Sequence, residues 1–211
     1  MTAVIFDCDG TLVDSEPLAR VAWERALAPY GLTMTEADLE RVVGLPYPRV
    51  HAYYAERGSL PDADAFWPAL SSELFALIDE RLEPFADAVG AVRELQVRGV
   101  PVAVASSSPR ERLEHTLVRG GLAGCFAVSV AGDEVARGKP APDLFLAAAR
   151  ALGVPPAGCV VVEDSPPGVE AGLAAGMSVL GVAREPGADA ALDGAHRVTA
   201  TLTAEGILDL A

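Results

Sequence analysis

The sequence has no long hydrophobic run and few cysteines. Although 51% of its 211 residues are hydrophobic, charges or glycines interrupt every apolar stretch before the ~20 residues that a membrane-spanning helix needs. Its three cysteines are odd in number and form no C-x-x-C pair, which favours a reducing compartment over a disulfide framework. The first residues show no basic region followed by an apolar signal segment. We therefore expect a cytoplasmic protein with no membrane partner.

Positive charge is scarce, since 16 lysines and arginines stand against 30 aspartates and glutamates, for a formal net charge of −14. A nucleic-acid-binding surface needs a basic face to meet the phosphate backbone, so this balance argues against a nucleic acid partner. A small anionic substrate remains compatible with it if a metal ion and a few cations make the site locally positive. We expect most of the acidic residues simply to keep the protein soluble.

Lysine is nearly absent, because Lys139 is the only one and the other fifteen basic residues are arginines. Where arginine serves at every other cationic position, a retained lysine hints at a need for a compact ammonium group that a planar guanidinium cannot replace. Chance is the alternative explanation for this single lysine.

Short valine-rich runs alternate with segments of helical periodicity along most of the chain. This alternation predicts the α/β class, with a parallel sheet whose strands are buried on both faces. The predicted strands are 3–7, 100–106, 126–132, 159–164 and 177–183, with 196–200 as a further candidate. The predicted helices between them are 87–98, 109–120, 140–152 and 167–175.

The connection between the first two predicted strands runs from near Asp7 to near Pro101, far longer than a crossover of about a dozen residues. It contains helix-like segments at 17–30, 35–42, 47–57 and 63–81. We therefore predict two domains. Residues 1–14 and 84–211 would form the α/β core, and residues 15–83 an inserted all-helical domain that serves as a lid.

Polar side chains lie at the ends of three of the predicted strands and follow a fourth. They are Asp7 and Asp9, Ser106, Lys139, and the pair Glu163 and Asp164. In open α/β sheets ligands bind in the crevice at the carboxyl ends of the strands. We therefore expect these groups to converge on one site.

The carboxylates at these strand ends suit a magnesium ion. Asp7, Asp9 and Asp164 would repel one another unless a cation lay between them. Mg²⁺ prefers oxygen ligands and commonly uses one or two carboxylates together with phosphate and water. No cysteine or histidine falls at a metal-binding spacing, which disfavours zinc. With Mg²⁺ in the crevice, the natural substrate group is phosphate.

Phosphoryl transfer needs a nucleophile, neutralisation of charge and a proton for the leaving oxygen. One aspartate can attack phosphorus to form an acyl phosphate, and the other can protonate the leaving oxygen and later deprotonate water. Ser106 and Lys139 can hold the phosphoryl oxygens. Thr11 can hydrogen-bond either the turn or the phosphate, while Gly10 relieves the backbone where the strand turns.

Four motifs occur in order along the chain: "DCDGTLVDSE", "VASSS", "GKPAPD" and "VVEDSPPGVEAG". Together they resemble the motifs of the haloacid dehalogenase superfamily, and the resemblance spans the whole chain. It implies a Rossmann-like core, a small helical cap inserted after the first motif, as in the β-phosphoglucomutase-like branch, and Mg²⁺ as the cofactor.

The resemblance also implies roles for the acidic motif residues. Asp7 would be the nucleophile and a metal ligand. Asp9 would be the general acid and base, and would also give its backbone carbonyl to Mg²⁺. Asp164 would bind the metal, and Glu163 would support the metal or its waters.

The same resemblance implies that Ser106 and Lys139 bind the phosphate. Ser107 and Thr11 are further candidates for this role. Ser108 is instead expected to be a helix N-cap, because "SPRE" at 108–111 has the pattern of a capping box.

In the inserted domain, substrate contact is considered for Ser15 and Glu16, where cap and core meet, and for Gly44 and Arg49 further along. Asp14 or Ser15 is also expected to cap the helix whose start is marked by Pro17.

These patterns favour a Mg²⁺-dependent phosphatase of small phosphorylated metabolites, sugar phosphates foremost, that works as a monomer through an aspartyl phosphate. The alternative is a β-phosphoglucomutase-like phosphomutase. Aligned on the first motif, Ala19 stands where those mutases place a histidine, and Val43 where they place a lysine, which favours hydrolysis. Dehalogenation is disfavoured because that chemistry has no use for an acid at Asp9.

Overall fold

The computed structural model describes residues 2–42 and 47–211, apart from the side chain of Glu40. The chain forms two compact units. Met1–Asp14 and Glu83–Ala211 make up the first unit, and Ser15–Leu82 the second. Within the described residues, no helix combines the length and the apolar character needed to cross a bilayer.

A six-stranded parallel sheet organises the first unit. Its strands are β1 (Ala3–Phe6), β4 (Val102–Ala105), β5 (Val128–Val130), β6 (Cys159–Glu163), β7 (Ser178–Val182) and β8 (Arg197–Thr199). Their order across the sheet is β5-β4-β1-β6-β7-β8. Every residue of β1, β4 and β6 is buried, as expected for central parallel strands covered by helices on both faces. The predicted α/β class is confirmed.

The strand order creates the crevice in which polar groups can meet. From β1 the chain eventually reaches β4 on one side, whereas β6 lies on the other side and leads away to β7. Connections that leave neighbouring strands in opposite directions open a gap at their carboxyl ends. Register places Phe6 of β1 beside both Val104 of β4 and Val162 of β6, so these three strands end at the same level.

The helices of the first unit pack on this sheet through apolar faces. They are α5 (Ala86–Val97), α6 (Arg110–Arg119), α7 (Asp143–Leu152), α8 (Pro166–Ala174) and α9 (Ala204–Leu208). Helix α7 buries Leu144, Phe145 and Ala148 against β-strand residues such as Ile5. Burial of such side chains stabilises the fold by roughly 1.5–3 kcal/mol each.

In the described residues of the second unit, all of the regular secondary structure is helical. This unit contains α1 (Glu16–Leu27), α2 (Glu36–Val42), α3 (Tyr47–Ala55) and α4 (Ala63–Arg81). Helices α1 and α4 pack together around a core that includes Leu18, Leu27 and Leu77. Asp62 caps α4, since its side chain accepts a 2.9 Å hydrogen bond from the Ala65 amide, which satisfies one of the free N–H groups at the helix start.

Two further features of the structure were not predicted from the sequence. The first is a short antiparallel ladder between β2 (Val13–Asp14) and β3 (Glu83–Pro84), which assigns Glu83 to the first unit rather than to the inserted one. Two-residue strands are too short to show an alternating pattern. The second is α9, which at five residues is too short for helical periodicity to be visible.

Candidate active site

Asp7 and Lys139 form the centre of a buried polar cluster in the first unit. Asp7 directly follows β1, and its amide donates to the Val162 carbonyl of β6 at 2.9 Å, so strand pairing holds its backbone in place. Lys139 lies in the loop before α7. Its ammonium donates to the Asp7 carboxylate and, at 2.5 Å, to Glu163. Only 7% of the lysine side chain is exposed, so the charge of Lys139 is balanced by carboxylates rather than by water.

The local fold brings Glu163 and the start of α8 into close contact. The Glu163 carboxylate accepts hydrogen bonds from the Ser165 amide at 2.8 Å and from the Ser165 hydroxyl at 2.9 Å. A Cβ atom built on Gly168, in the first turn of α8, would lie 1.7 Å from Glu163 Oε1. Any larger residue at 168 would therefore force the Glu163 carboxylate to move from this position.

Asp164 is held by the turn after β1. The Thr11 hydroxyl donates to Asp164 Oδ1 at 2.8 Å, and Thr11 is fully buried. Gly10 has φ +78°, and a Cβ atom there would lie 2.1 Å from Asp164 Oδ2. Glycine is needed at this position both for the left-handed backbone and for the close approach. The hydroxyl of Thr11 thus supports Asp164, and its role as a phosphate ligand stays a prediction.

Burial dominates the electrostatics of these side chains. Burial raises the pKa of Asp7, an effect that Lys139 opposes, and burial together with Glu163 and Asp7 raises the pKa of Asp164. Burial lowers the pKa of Lys139, but the attraction of Asp7 and Glu163 outweighs it and the net pKa is raised. Crowded carboxylates of this kind are stabilised by a cation placed among them.

The cluster fits a divalent cation. One carboxylate oxygen each from Asp7, Glu163 and Asp164 lie within 4.8 Å of one another. Three carboxylates beside the single ammonium of Lys139 leave two negative charges, which a divalent ion would match. A set made only of oxygen donors suits Mg²⁺ rather than zinc.

Asp9 lies against different partners from those of Asp7. Its Oδ1 accepts a 2.8 Å hydrogen bond from Arg112 Nη2 on α6, and its Oδ2 accepts one from the Ser108 hydroxyl at 2.8 Å. The Ser106 hydroxyl donates to the same Oδ2 at 3.4 Å and accepts from the Ser108 amide at 3.0 Å. The structure thus joins Asp9 to the end of β4.

The prediction that Ser108 caps α6 is wrong. The helix begins at Arg110 with Pro109 in the N-cap position, and the Arg110 amide donates to Asp133 Oδ1 at 3.0 Å instead of to Ser108. Proline at 109 shifts the helix start by one residue, so that the Ser108 hydroxyl turns towards Asp9 instead. Neither Ser108 nor Arg112 was recognised from the sequence as a partner of Asp9. A "SPRER" stretch after a strand is ordinary helix-start sequence, and nothing in it indicates which residue faces the site.

The other residues that the sequence proposed for the site differ in burial and in position. Ser107, which follows β4, is exposed. Ser15 is buried at the N-cap position of α1 without a side-chain capping bond, Glu16 is exposed in its first turn, and Arg49 is exposed on α3. Gly44 lies outside the described residues. The substrate contacts suggested for Ser15, Glu16, Gly44 and Arg49 stay predictions.

Comparisons with known proteins agree with this architecture. A model of the haloacid dehalogenase-like hydrolases matches residues 1–176. The chain is 36% identical over 190 residues to the bifunctional riboflavin kinase/FMN phosphatase of Arabidopsis thaliana, and this match covers 88% of the chain but 49% of that protein. The chain therefore spans about half the length of this relative.

Two further matches extend over nearly the whole of the proteins concerned. The fructose-1-phosphate phosphatase of Escherichia coli is 37% identical over 183 residues, which cover 85% of this chain and 95% of that protein. The solved structure of a candidate beta-phosphoglucomutase from Thermotoga maritima aligns with a TM-score of 0.79 at 32% identity, and covers 99% of this chain and 97% of that one. The family model, the relatives and the shared fold together show that the chain belongs to the haloacid dehalogenase-like hydrolases.

Proposed function

We propose that this protein is a Mg²⁺-dependent phosphoric monoester hydrolase that releases phosphate from small phosphorylated metabolites, sugar phosphates foremost. The observation that supports this most strongly is the buried cluster in which Lys139 contacts both Asp7 and Glu163 beside Asp164. A lysine at this place can bind an oxygen of a phosphoryl group. Asp7, which contacts the lysine, is then the proposed nucleophile.

The proposed reaction has two steps that share one pair of aspartates. An oxygen of Asp7 attacks phosphorus, the bond from phosphorus to the leaving oxygen breaks, and Asp9 gives its proton to that oxygen. Water then attacks the aspartyl phosphate, Asp9 takes a proton from the water, and inorganic phosphate is released with Asp7 restored. Ser106 and Lys139 hold the phosphoryl oxygens during both steps, with Ser107 and Thr11 as further candidates.

The residues that would hold Mg²⁺ are Asp7, Glu163 and Asp164 through their carboxylates and Asp9 through its backbone carbonyl. When bound, the ion supplies positive charge that offsets the charge of the phosphoryl oxygens. The chain's own contribution is to keep these carboxylates close together in a buried place, so that binding a cation removes their mutual repulsion.

The substrate class rests on the relatives and on the residues of the helical unit. A phosphomutase remains the alternative, because the Thermotoga maritima structure is described as a candidate beta-phosphoglucomutase. Ala19, on α1, cannot supply the polar group that a histidine would offer at that position, and Val43 lies outside the described residues. We favour hydrolysis for this reason. A monomeric state and a cytoplasmic location are part of the proposal.

The decisive experiment compares hydrolysis with phosphate transfer. The protein is incubated with a panel of phosphate esters, including fructose 1-phosphate and β-glucose 1-phosphate, in Mg²⁺ and then in excess chelator. We expect phosphate release that the chelator removes. Equal activity in chelator would disprove the metal dependence. Faster formation of glucose 6-phosphate than of free phosphate, with a trace of the 1,6-bisphosphate present, would favour the mutase.

A further inference from the structure

The contacts of Asp9 divide its two carboxylate oxygens between two kinds of donor. Oδ1 accepts from the Arg112 guanidinium, and Oδ2 accepts from the hydroxyls of Ser108 and Ser106. The Arg112 and Asp9 side chains are each 20% exposed, so this ion pair is shielded from most of the solvent.

These two kinds of donor differ in what they allow. A guanidinium only donates hydrogen bonds, so its contact with Oδ1 of Asp9 holds that oxygen as an acceptor on the α6 side. A serine hydroxyl can donate to a carboxylate and can turn to accept from a protonated carboxyl group. The contact with Arg112 on Oδ1 therefore leaves Oδ2 as the oxygen that faces the end of β4, where Ser106 is proposed to bind phosphoryl oxygens.

Arg112 reaches Asp9 from a well-anchored element. It is the third residue of α6, and the next residue, Leu113, is fully buried, as is Thr116 one turn further on. Among the described residues, the buried Nε atom of Arg112 has no hydrogen-bond partner. An arginine that served only as a surface charge would turn this donor to water, because a buried unpaired donor costs stability.

We propose that Arg112 is a positioning residue for the general acid and base of this reaction. It holds Oδ1 of Asp9 so that Oδ2 stays on the Ser106 side, ready to protonate the leaving oxygen as the phosphoryl group passes to Asp7. This inference rests on the proposed function. Without Arg112 the carboxylate can rotate about its side-chain bonds, and the fraction of time it spends in the productive orientation falls.

The test uses the dependence of rate on the leaving group. The wild-type protein and Arg112→Ala are assayed with Mg²⁺ on phenyl phosphate and on p-nitrophenyl phosphate, two esters of similar size. Phenolate is the more basic leaving group and needs more help from an acid, whereas p-nitrophenolate leaves with little help. The quantity compared is kcat/KM, because it reports formation of the phosphoenzyme and not its later hydrolysis.

We expect Arg112→Ala to lower kcat/KM about 10-fold or more on phenyl phosphate and less than about 3-fold on p-nitrophenyl phosphate. Arg112→Lys keeps a cationic donor and should restore part of the loss. The matched control is Arg110→Ala on the same helix, since the Arg110 side chain pairs with Glu134 and Ser129. Its effect on the two esters should be equal. Thermal melting of each variant tests whether it is folded.

Equal losses on the two esters in Arg112→Ala and Arg112→Lys would overturn the inference, since they would indicate phosphate binding or a general loss of structure. No loss on either ester would overturn it as well. If the wild-type protein hydrolyses neither ester, the proposed function fails and this inference fails with it. If the wild-type protein hydrolyses both esters and the variants keep its leaving-group dependence, only the role of Arg112 is wrong.

Discussion

At the scale of single residues, the candidate site contains one side chain, Lys139, whose charged group has a particular shape. Lys139 is the one lysine in the chain, and its buried ammonium lies between Asp7 and Glu163. A compact ammonium fits a space bounded by two carboxylates, whereas a guanidinium is longer and planar and requires a different arrangement of acceptors. The chemical identity of this residue therefore matters as well as its charge.

Lys139→Arg should not restore activity although it keeps the positive charge. The larger group cannot contact both carboxylates from the same place, and loss of one preorganised contact lowers rates by about 10²–10³-fold. Steady-state rates of phosphate release for the wild-type protein, Lys139→Arg and Lys139→Met measure this. Near-normal turnover by Lys139→Arg would show that the lone lysine is an accident of composition.

Asp7→Asn should abolish turnover and leave the fold intact, since an amide is a poor nucleophile. Asp9→Asn should be severely impaired but should still form a phosphoenzyme from an ester with a good leaving group. Rapid acid quench followed by mass spectrometry detects the covalent phosphate in each variant. A phosphoenzyme trapped in Asp7→Asn would refute the assignment of the nucleophile.

At the scale of elements, the site requires unusually close approach between a helix and a side chain. Helix α8 begins at Pro166, directly after the Ser165 N-cap, and brings Gly168 against the carboxylate of Glu163. A helix start so near a carboxylate adds backbone donors and the favourable end of the helix dipole. A substitution that displaces the start of α8 should therefore also displace the Glu163 carboxylate.

Gly168→Ala should destabilise the protein by about 1–3 kcal/mol or more, because the new methyl group would overlap the Glu163 carboxylate. It should also weaken Mg²⁺ binding by displacing that carboxylate. The control is Gly90→Ala in α5, where an added Cβ atom would meet nothing within 4 Å. That change should stabilise the helix by about 0.5–1 kcal/mol. Urea unfolding of both variants measures the difference, and similar effects of the two changes would contradict the packing argument.

At the scale of the whole first unit, Asp87 joins segments that are far apart in the sequence. Its carboxylate accepts two hydrogen bonds from Arg184, at 2.8 and 3.0 Å, and one from the Leu202 amide at 2.8 Å. Arg184 also donates to the Thr11 carbonyl at 2.7 Å. Residues after β7 and β8 are thereby connected to the turn that carries the acidic motif.

This network should make stability depend on pH in acid. Burial raises the pKa of Asp87, but the hydrogen bonds from Arg184 and Leu202 outweigh it and hold the pKa below its ordinary value of 3.8. The stabilisation is therefore fully present above pH 3.8 and is lost as the pH falls through the lower pKa of the folded state. Melting temperatures of the wild-type protein and Asp87→Asn should differ at about pH 6 and converge towards about pH 3. A difference that stayed constant with pH would exclude an ionic origin.

The sequence alone determined the class of fold and indicated which polar residues follow the strand ends. Short apolar runs locate the six strands of the parallel sheet to within a few residues of their observed bounds, because strands buried on both faces appear in the sequence as nearly continuous apolar runs. Asp7, Ser106, Glu163 and Asp164 could be placed together in advance, since the carboxyl ends of parallel strands meet at one edge. Their catalytic roles remain proposals.

Only the tertiary structure decided which partner each polar group meets. The Thr11 hydroxyl reaches Asp164, Ser108 and Arg112 hold Asp9, and Asp87 meets Arg184. Each of these pairs joins residues separated by about a hundred positions or more. Such contacts depend on helix orientation and side-chain rotamer, and neither is encoded in a local pattern. Strand ends are set by nearby residues, whereas the partners of a side chain are set by the packing of the whole unit.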